Sequence, residues 1–222
     1  MGAQDARWSV ISSAVDLQPP STTALVDVLL QAAQCAAGIE LEHISLRCDP
    51  ASASWVRQWP GEHYRLLAGL VKLLRPRAVV EIGTFQGHGS LALLSGSDVT
   101  TVTTYDVIPW DEIDGTVLRP SDFGQGRLTQ RIGDLADSIF LGENLDILRA
   151  ADLIFIDGPK DGVWEPDFCA QVLPLLADRQ RLIVLDDIRL LTMVQLWRDL
   201  PFAKLDATSL GHWSGTGLVH TR

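Results

Sequence analysis

The sequence predicts a doubly wound α/β fold, in which helices cover both faces of a mostly parallel, seven-stranded sheet. After Pro76, short apolar runs of strand length alternate with helical patterns, as expected of successive strand–helix–strand units. Two of these runs, residues 153–156 and 182–185, are apolar throughout, which is typical of parallel strands buried on both faces. The final segment differs, because two strand patterns flank the glycine-bearing turn at 211–215 and predict an antiparallel hairpin.

Five runs are predicted as parallel strands, and their alternation with helices implies right-handed crossovers. These strands are expected at residues 78–82, 99–105, 128–132, 152–156 and 181–185. The helices that follow them are expected at residues 88–94, 141–150, 166–177 and 190–200. Strands at residues 204–210 and 216–220 complete the sheet as the terminal hairpin.

Two helices are predicted before the first strand. The first begins after Ser21 with apolar residues recurring on one face, and Gly38 is placed to end it. The second begins near Pro60 and is stopped by Pro76, which cannot continue a helix. We therefore divide the chain into an N-terminal helical extension or cap, residues 1–59, and a main α/β domain, residues 60–222. Residues 1–20 are expected to be an irregular lead-in.

The composition excludes several classes of function. The net charge is −10 and no run of Lys or Arg occurs, which argues against nucleic acid or an anionic membrane surface as the main partner. The three cysteines are too few and too scattered for a disulfide framework or a zinc cluster. No signal peptide is evident at the start, and no apolar stretch reaches the roughly 20 residues that a membrane span needs. We therefore expect a cytoplasmic protein.

The turn after the first predicted strand is the sharpest motif, with the sequence AVVEIGTFQGHGS at residues 78–90. Glu81 lies near the strand end, and Gly83, Gly87 and Gly89 bend the chain into a helix, which lets the backbone approach a ligand closely. The order G-x-x-x-G-x-G differs from the dinucleotide fingerprint G-x-G-x-x-G and disfavours a nicotinamide-dependent dehydrogenase. A simple strand–helix turn without a ligand is the alternative interpretation.

Acids also follow the second and third predicted strands. Asp106 closes the second strand, where a carboxylate can accept hydrogen bonds from both hydroxyls of a ribose. Asp134 follows Gly133 after the third strand and is placed to accept a hydrogen bond from an adenine amine. The alternative for both acids is a helix cap or a solvated loop residue.

Together these motifs resemble those of the class I S-adenosylmethionine-dependent methyltransferases, which have a Rossmann-like fold. The resemblance covers about residues 60–222 and includes the terminal antiparallel hairpin. It implies that the first-strand motif holds the methionine part of S-adenosylmethionine, that Asp106 binds its ribose and that Asp134 binds its adenine. The cofactor-binding residues that it implies are Glu81, Gly83, Thr84, Gly87, Gly89, Ser90, Asp106, Val107, Gly133, Asp134, Leu135 and Asp157.

A second constellation follows the fourth and fifth predicted strands. Asp157 ends the fourth strand with Lys160 three residues on, and Asp186 and Asp187 end the fifth. Neighbouring parallel strands bring these carboxylates together, where they repel one another unless a cation or protons compensate. Oxygen ligands of this kind suit Mg²⁺. The alternatives are that the paired acids cap the next helix and that Lys160 is a solvated loop residue.

This arrangement resembles the metal-dependent O-methyltransferases of the catechol type. The resemblance implies Asp157, Asp186 and Asp187 as ligands of a divalent metal, with Lys160 as general base. Asp187 stands where the catechol enzymes have Asn, which adds a negative charge to the site. The motifs DGPKDG, VLDDI and GHWSGTGLV are also similar to those of the macrolide-sugar O-methyltransferases, which leaves the kind of acceptor open.

The expected acceptor is a small hydroxylated molecule. His212 and Trp213, in the turn of the hairpin, are candidates to line its pocket, and His63 and Tyr64 are candidates to form a lid over it. Two alternatives to a metal-dependent enzyme remain at this point. One is a metal-independent methyltransferase with Lys160 or His212 as base, and the other is a non-catalytic cofactor-binding module. A homodimer formed through the N-terminal helices is a further expectation.

Overall fold

In the computed structural model, which describes residues 21–222, seven strands form one sheet in the order β3-β2-β1-β4-β5-β7-β6. The strands are β1 (Ala78–Ile82), β2 (Thr101–Asp106), β3 (Leu128–Ile132), β4 (Leu153–Ile156), β5 (Leu182–Asp186), β6 (Ala203–Asp206) and β7 (Thr216–His220). Strands β1 to β5 are parallel, and β7 is antiparallel to both β5 and β6. The direction of winding reverses between β1 and β4, and ligands of open α/β sheets bind at the carboxyl ends of such strands.

Nine α-helices and three short 3-10 turns accompany the sheet in the described residues. The helices are α1 (Thr23–Ala37), α2 (Glu42–Ser45), α3 (Pro50–Arg57), α4 (Tyr64–Leu74), α5 (His88–Ser95), α6 (Pro120–Phe123), α7 (Ser138–Ala150), α8 (Trp164–Val172) and α9 (Leu191–Asp199). Within residues 21–222, no helix combines the length and apolarity needed to cross a membrane. The doubly wound fold and the antiparallel terminal hairpin predicted from the sequence are confirmed.

The two faces of the sheet bury separate apolar cores. Helices α1, α4 and α5 pack on one face together with Val79 and Phe155, whereas α7, α8 and α9 pack on the other with Val80 and Ile154. Successive residues of a strand point to opposite faces, so the continuous apolar runs of β4 and β5 supply both cores.

The N-terminal helices belong to the same layer as α4. Thr22 caps α1, because its side chain accepts a hydrogen bond from the Leu25 amide at 3.2 Å. Gly69 of α4 allows close packing, since a Cβ at that position would lie 2.4 Å from the Ala32 carbonyl oxygen of α1. The described part of the predicted extension, residues 21–59, therefore shares the core of the main domain. The predicted lead-in, residues 1–20, lies outside the described residues.

Several boundaries differ from the predicted ones for local reasons. Strand β2 begins at Thr101 instead of residue 99, and the Val99 side chain is exposed. Helix α8 ends at Val172 and continues as a 3-10 turn, Leu173–Leu176, with Pro174 in its first turn. Helix α3 lies between the two helices predicted before β1, in a segment whose sequence pattern is ambiguous. Asp49 caps it by accepting hydrogen bonds from the Ala51 and Ser52 amides at 2.8 and 3.3 Å.

Candidate functional site

A cavity of 460 Å³ opens at the carboxyl edge of the sheet, beside the ends of β1, β2, β3 and β4. Seven of the predicted cofactor-binding residues line it: Gly83, Asp106, Val107, Gly133, Asp134, Leu135 and Asp157. Six further lining residues were not predicted: Ile82, Phe85, Tyr105, Gly158, Pro159 and Trp164. The cavity lies where the order of winding reverses, which is the expected position of a ligand in this class of fold.

The other predicted residues of the glycine turn fix the conformation of the turn beside the cavity. Ser90 donates a hydrogen bond to the buried Glu81 carboxyl, and a Cβ at Gly89 would lie 2.2 Å from a Glu81 oxygen. At Gly83, φ is +100° and a Cβ would lie 1.9 Å from the Asp157 carbonyl oxygen, so only glycine fits between β1 and β4 there. These residues shape the turn without facing the cavity, apart from Gly83 itself.

Glu81 is the acid of this turn, and 1% of its surface is exposed. Burial raises the pKa of Glu81 to about 8, and the hydrogen bond from Ser90 opposes part of that increase. Thr84 is also buried and bonded within the protein, because its hydroxyl lies 2.8 Å from that of Thr104. We therefore expect Glu81 and Thr84 to hold the shape of the turn.

Asp106 organises the loop above β1 as well as facing the cavity. One of its oxygens accepts a hydrogen bond from the Phe85 amide at 2.9 Å, and the other accepts from the Ile108 amide at 3.1 Å. Phe85 has a left-handed φ of 41°, which is uncommon for an aromatic residue and is stabilised by this contact. A carboxylate has about four acceptor positions, so Asp106 retains capacity for the two hydroxyls of a ribose.

Asp134 positions an indole ring at the far end of the cavity. One Asp134 oxygen accepts hydrogen bonds from the Ala136 amide and from Trp164 Nε1, both at 2.8 Å. The Trp164 ring stacks on Phe168 with a centroid distance of 4.9 Å. Trp164 was not among the residues predicted to bind a ligand, and its position in the sequence does not mark it as one. The structure shows that it both packs and lines the cavity.

Next to the cavity lies a group of six residues that we call the acid–histidine cluster: Glu62, His63, Asp157, Asp186, Asp187 and His212. Asp157 and the paired acids follow β4 and β5 as predicted. The two histidines reach them because the loop before α4 meets the hairpin turn. Gly61 forms an isolated bridge with His212, and the Trp213 amide donates a hydrogen bond to the Gly61 carbonyl at 3.2 Å. Glu62 carried no signal in the sequence that marked it as part of a site.

Asp186 lies at the centre of this cluster and is 2% exposed. Its Oδ1 lies 3.3 Å from Nδ1 of His63 and 3.3 Å from Nδ1 of His212. Burial would raise the pKa of Asp186, but the two imidazoles hold that pKa well below its ordinary value. Burial would likewise lower the pKa of His63, but the Asp186 and Asp157 carboxylates raise it to about 9.

Lys160 is paired with the acid that precedes it. Its Nζ lies 2.5 Å from Asp157 Oδ1 and 3.7 Å from Asp187 Oδ2, and it donates a hydrogen bond to the Gly158 carbonyl at 2.9 Å. Burial would lower the pKa of Lys160, but Asp157 and the other carboxylates raise it, so the side chain is an ammonium here. Both Lys160 and Asp187 have left-handed φ values, 56° and 61°, and such strain is concentrated at functional sites.

The potential metal ligands of the cluster form three groups, in each of which the ligand atoms lie within 4.8 Å of one another. The groups are Glu62–His63–His212, His63–Asp157–Asp186 and Asp186–Asp187–His212. Every group within residues 21–222 contains a histidine, and none consists of the three predicted acids alone. The strand-end acids thus meet as expected, but with imidazoles between them.

The predicted acceptor-side residues differ in their accessibility. Trp213 is 71% exposed and lies edge-on to His212, with ring centroids 5.5 Å apart. Tyr64 is packed between His63 and His88, at 4.5 and 5.7 Å, and His63 is buried. Trp213 is therefore open to a ligand, whereas His63 and Tyr64 form part of the packed floor in this conformation.

Comparison with known proteins gives no relative by sequence, since neither a protein-family profile nor a curated protein matches the chain. Solved structures do match. A protein described as a caffeoyl-CoA O-methyltransferase from Staphylococcus aureus has a TM-score of 0.53 and 18% identity, over 71% of this chain and 81% of that one.

Two other solved structures match over almost the full length. An S-adenosylhomocysteine-bound methyltransferase from Podospora anserina has a TM-score of 0.52 and 16% identity, over 91% of this chain and 89% of that one. A methyltransferase from Geobacter sulfurreducens has a TM-score of 0.50 and 20% identity, over 98% of both chains. At such identities the likeness concerns the fold. The chain has the Rossmann-like fold of the class I S-adenosylmethionine-dependent methyltransferases that its sequence motifs resemble.

Proposed function

We propose that this protein is an S-adenosylmethionine-dependent O-methyltransferase that methylates a hydroxyl of a small metabolite. One observation carries the proposal: the cavity at the switch point is lined by Asp106 at the end of β2 and Asp134 after β3, and Asp157 connects it to the acid–histidine cluster. In this proposal the cofactor site and the site of methyl transfer are therefore adjacent. The fold is shared with a methyltransferase structure that contains S-adenosylhomocysteine.

In this proposal each end of the cofactor has its own partners. The Asp106 carboxylate would accept hydrogen bonds from the ribose hydroxyls, and the Asp134 carboxylate, held by Trp164, would accept one from the adenine amine. The methionine part lies over Gly83, where the absence of a side chain lets the backbone approach it. S-adenosylmethionine held by these residues would supply a reactive methyl group to an acceptor bound beside Asp157. Because a sulfonium is already reactive, catalysis consists mainly of holding the acceptor oxygen in line with the methyl group.

We assign to Lys160 the removal of the proton from the acceptor hydroxyl. In the present arrangement its ammonium is fixed against Asp157, so it first acts as a cation that neutralises this acid. To accept a proton, Lys160 has to leave the Asp157 oxygen and lose its own proton, which a second positive charge near Asp157 would favour. His212 is the alternative base at the same edge.

A divalent metal, Mg²⁺ above all, is the remaining part of the proposal, with Asp157, Asp186 and Asp187 as its ligands. When bound, such an ion lowers the pKa of a coordinated hydroxyl. The donor set fits it in part, because the carboxylates converge but Lys160 already lies near Asp157 and Asp187. That built-in ammonium favours a second candidate, a metal-independent methyltransferase.

Calorimetric titration with S-adenosylmethionine tests the cofactor assignment. We expect binding in the micromolar range by the wild type and a loss of about tenfold or more, at least about 1.4 kcal/mol, in Asp106→Ala. Asp146→Ala, a matched change on the exposed surface of α7, should bind like the wild type. Absence of binding by the wild type, or an equal loss in both variants, would overturn the proposal.

Transfer of a labelled methyl group to a panel of hydroxylated small molecules, with and without a chelator, separates the enzymatic candidates. Turnover that the chelator abolishes and Mg²⁺ restores supports metal assistance. Turnover that survives the chelator supports the metal-independent candidate. Cofactor binding without turnover on any acceptor of the panel points to a non-catalytic binding module.

A further inference from the structure

We propose that Glu62, His63 and His212 form a binding site for a divalent transition metal, separate from the strand-end ligands of the function proposed above. None of the three belongs to that acid ligand set. One carboxylate and two imidazoles are a donor set that suits Zn²⁺, Co²⁺ or Fe²⁺ and leaves positions free for water or a hydroxyl. The site lies on the side of Asp186 that faces the loop before α4.

The ligand atoms of these residues already converge. One atom from each of the three lies within 4.8 Å of the other two. His212 Nε2 is 3.4 Å from Glu62 Oε2, and two ligands at about 2.1 Å from a tetrahedral zinc are separated by about 3.4 Å.

His63 supplies an independent observation. It is 3% exposed, and neither of its ring nitrogens has a hydrogen-bond partner. Its Nδ1 lies 3.3 Å from Asp186 but outside hydrogen-bond geometry. Buried polar groups without a partner are rare in native proteins, and an ion that the described chain does not itself supply is one explanation for them. An ion pair between His212 and Glu62 accounts for those two residues, whereas His63 has the Asp186 carboxylate as a charge partner but makes no hydrogen bond with either ring nitrogen.

The surroundings of His212 also support a metal ion at this site. Its Nδ1 faces the Ser214 hydroxyl at 2.9 Å and both Asp186 oxygens at 3.3 Å, so this nitrogen carries the proton. Nε2 then faces the Glu62 carboxylate at 3.4 Å, and a positive charge between the two atoms, a proton or a metal ion, stabilises that contact.

Asp186 has the role of a positioning residue in this arrangement. It faces Nδ1 of both histidines, which leaves Nε2 of each available to the metal. Carboxylates behind metal-bound histidines orient the ring and increase the basicity of the ligand nitrogen. The Asp186 carboxylate therefore connects the new site to the strand ends without being one of its ligands.

Direct metal binding tests this proposal without depending on methyl transfer. Metal-free protein that carries no polyhistidine tag is titrated with Co²⁺ and, separately, with Mg²⁺, by calorimetry and visible spectroscopy. We expect one equivalent of Co²⁺ to bind at least about tenfold more tightly than Mg²⁺, with d–d bands that report nitrogen ligation. Binding of Mg²⁺ as tight as that of Co²⁺, or a wild-type spectrum without nitrogen ligation, would overturn the proposal.

Variants locate the site. His63→Ala and His212→Ala should each weaken Co²⁺ binding by about tenfold or more, and Glu62→Gln should do so with less risk to folding. His43→Ala, a matched change at an exposed histidine, should leave Co²⁺ binding unchanged, and Asp157→Asn, at the strand-end acids, should weaken it less than His63→Ala does. Circular dichroism checks that each variant is folded. Co²⁺ binding that depends on Asp157 and not on His63 would place the ion at the strand ends and contradict the assignment.

Discussion

At the scale of single residues, the site is governed by groups whose charge depends on burial. Glu81 is buried beneath the glycine turn, where hydrogen bonds from Ser90 and Thr104 offset only part of the effect of burial, whereas Asp186 is buried between two imidazoles. The two carboxyls therefore shift in opposite directions: the pKa of Glu81 rises to about 8 and that of Asp186 falls. The glycine turn thus holds a neutral acid, and the cluster beside it holds a charged one.

Glu81 leads to a prediction about stability and pH. Its folded pKa of about 8 exceeds the unfolded value of 4.5, so between these pH values the folded state keeps a proton that the unfolded state has lost. Stability therefore falls as pH rises through this window, by at most about 1.4 kcal/mol per pH unit from this group. We expect Glu81→Gln to remove that part of the slope, measured by urea unfolding between pH 5.5 and pH 8.5. Equal slopes for the two proteins would contradict a buried neutral Glu81.

At the scale of secondary-structure elements, the contact between α1 and α4 holds the layer that carries His63. Gly69 permits the contact, because a Cβ there would lie 2.4 Å from the backbone oxygen of Ala32 and 3.0 Å from the Ala36 Cβ. A backbone oxygen cannot rotate away as a flexible side chain would. The loop before α4 therefore keeps its position against the hairpin turn through helix packing.

Gly69→Ala is predicted to destabilise the protein by about 1–3 kcal/mol, because the helices have to separate. Gly142→Ala is the matched control on α7, where nothing lies within 4 Å of the added methyl group. It should stabilise the protein by up to about 1 kcal/mol, since alanine favours a helix more than glycine does. Chemical unfolding of both variants measures the contrast. A stabilised Gly69→Ala protein would show that the two helices have room between them.

At the scale of the whole molecule, a ligand at the switch point contacts loops from both halves of the sheet. The cavity is lined by the ends of β1, β2 and β3 on one side and by the segment after β4 on the other. A ligand that binds there stabilises the folded chain as a whole, because the unfolded chain does not hold these loops together.

S-adenosylhomocysteine at about 100 times its Kd should raise the free energy of unfolding by about 2.7 kcal/mol. For a chain of this size that corresponds to an increase in Tm of several degrees, roughly 2–4 °C for each kcal/mol. Calorimetric scans with and without the ligand measure it, and Asp106→Ala should lose most of the increase at the same ligand concentration. An undiminished increase in Asp106→Ala would mean that the ligand binds away from this cavity.

The sequence by itself determined the features that depend on local pattern. Alternating apolar runs and helical periods specify strands and helices through contacts between near neighbours, and the carboxyl ends of parallel strands share one edge by topology. The sequence alone therefore predicts that Asp106, Asp134, Asp157 and Asp186 lie at that edge. The glycine turn was likewise predictable from the sequence, because Gly83 has a positive φ that glycine adopts readily.

Only the tertiary structure decided how these acids are partnered. His63 and His212 reach Asp186 because the loop before α4 and the hairpin turn, far apart in the chain, form a bridge through Gly61. Lys160 pairs with Asp157 and has a left-handed backbone conformation, which the sequence pattern did not predict. Such contacts arise from packing between segments that are distant in the chain, and the periodicity of apolar residues does not predict them. For this reason the strand-end acids were predictable, whereas the site of Glu62, His63 and His212 was not.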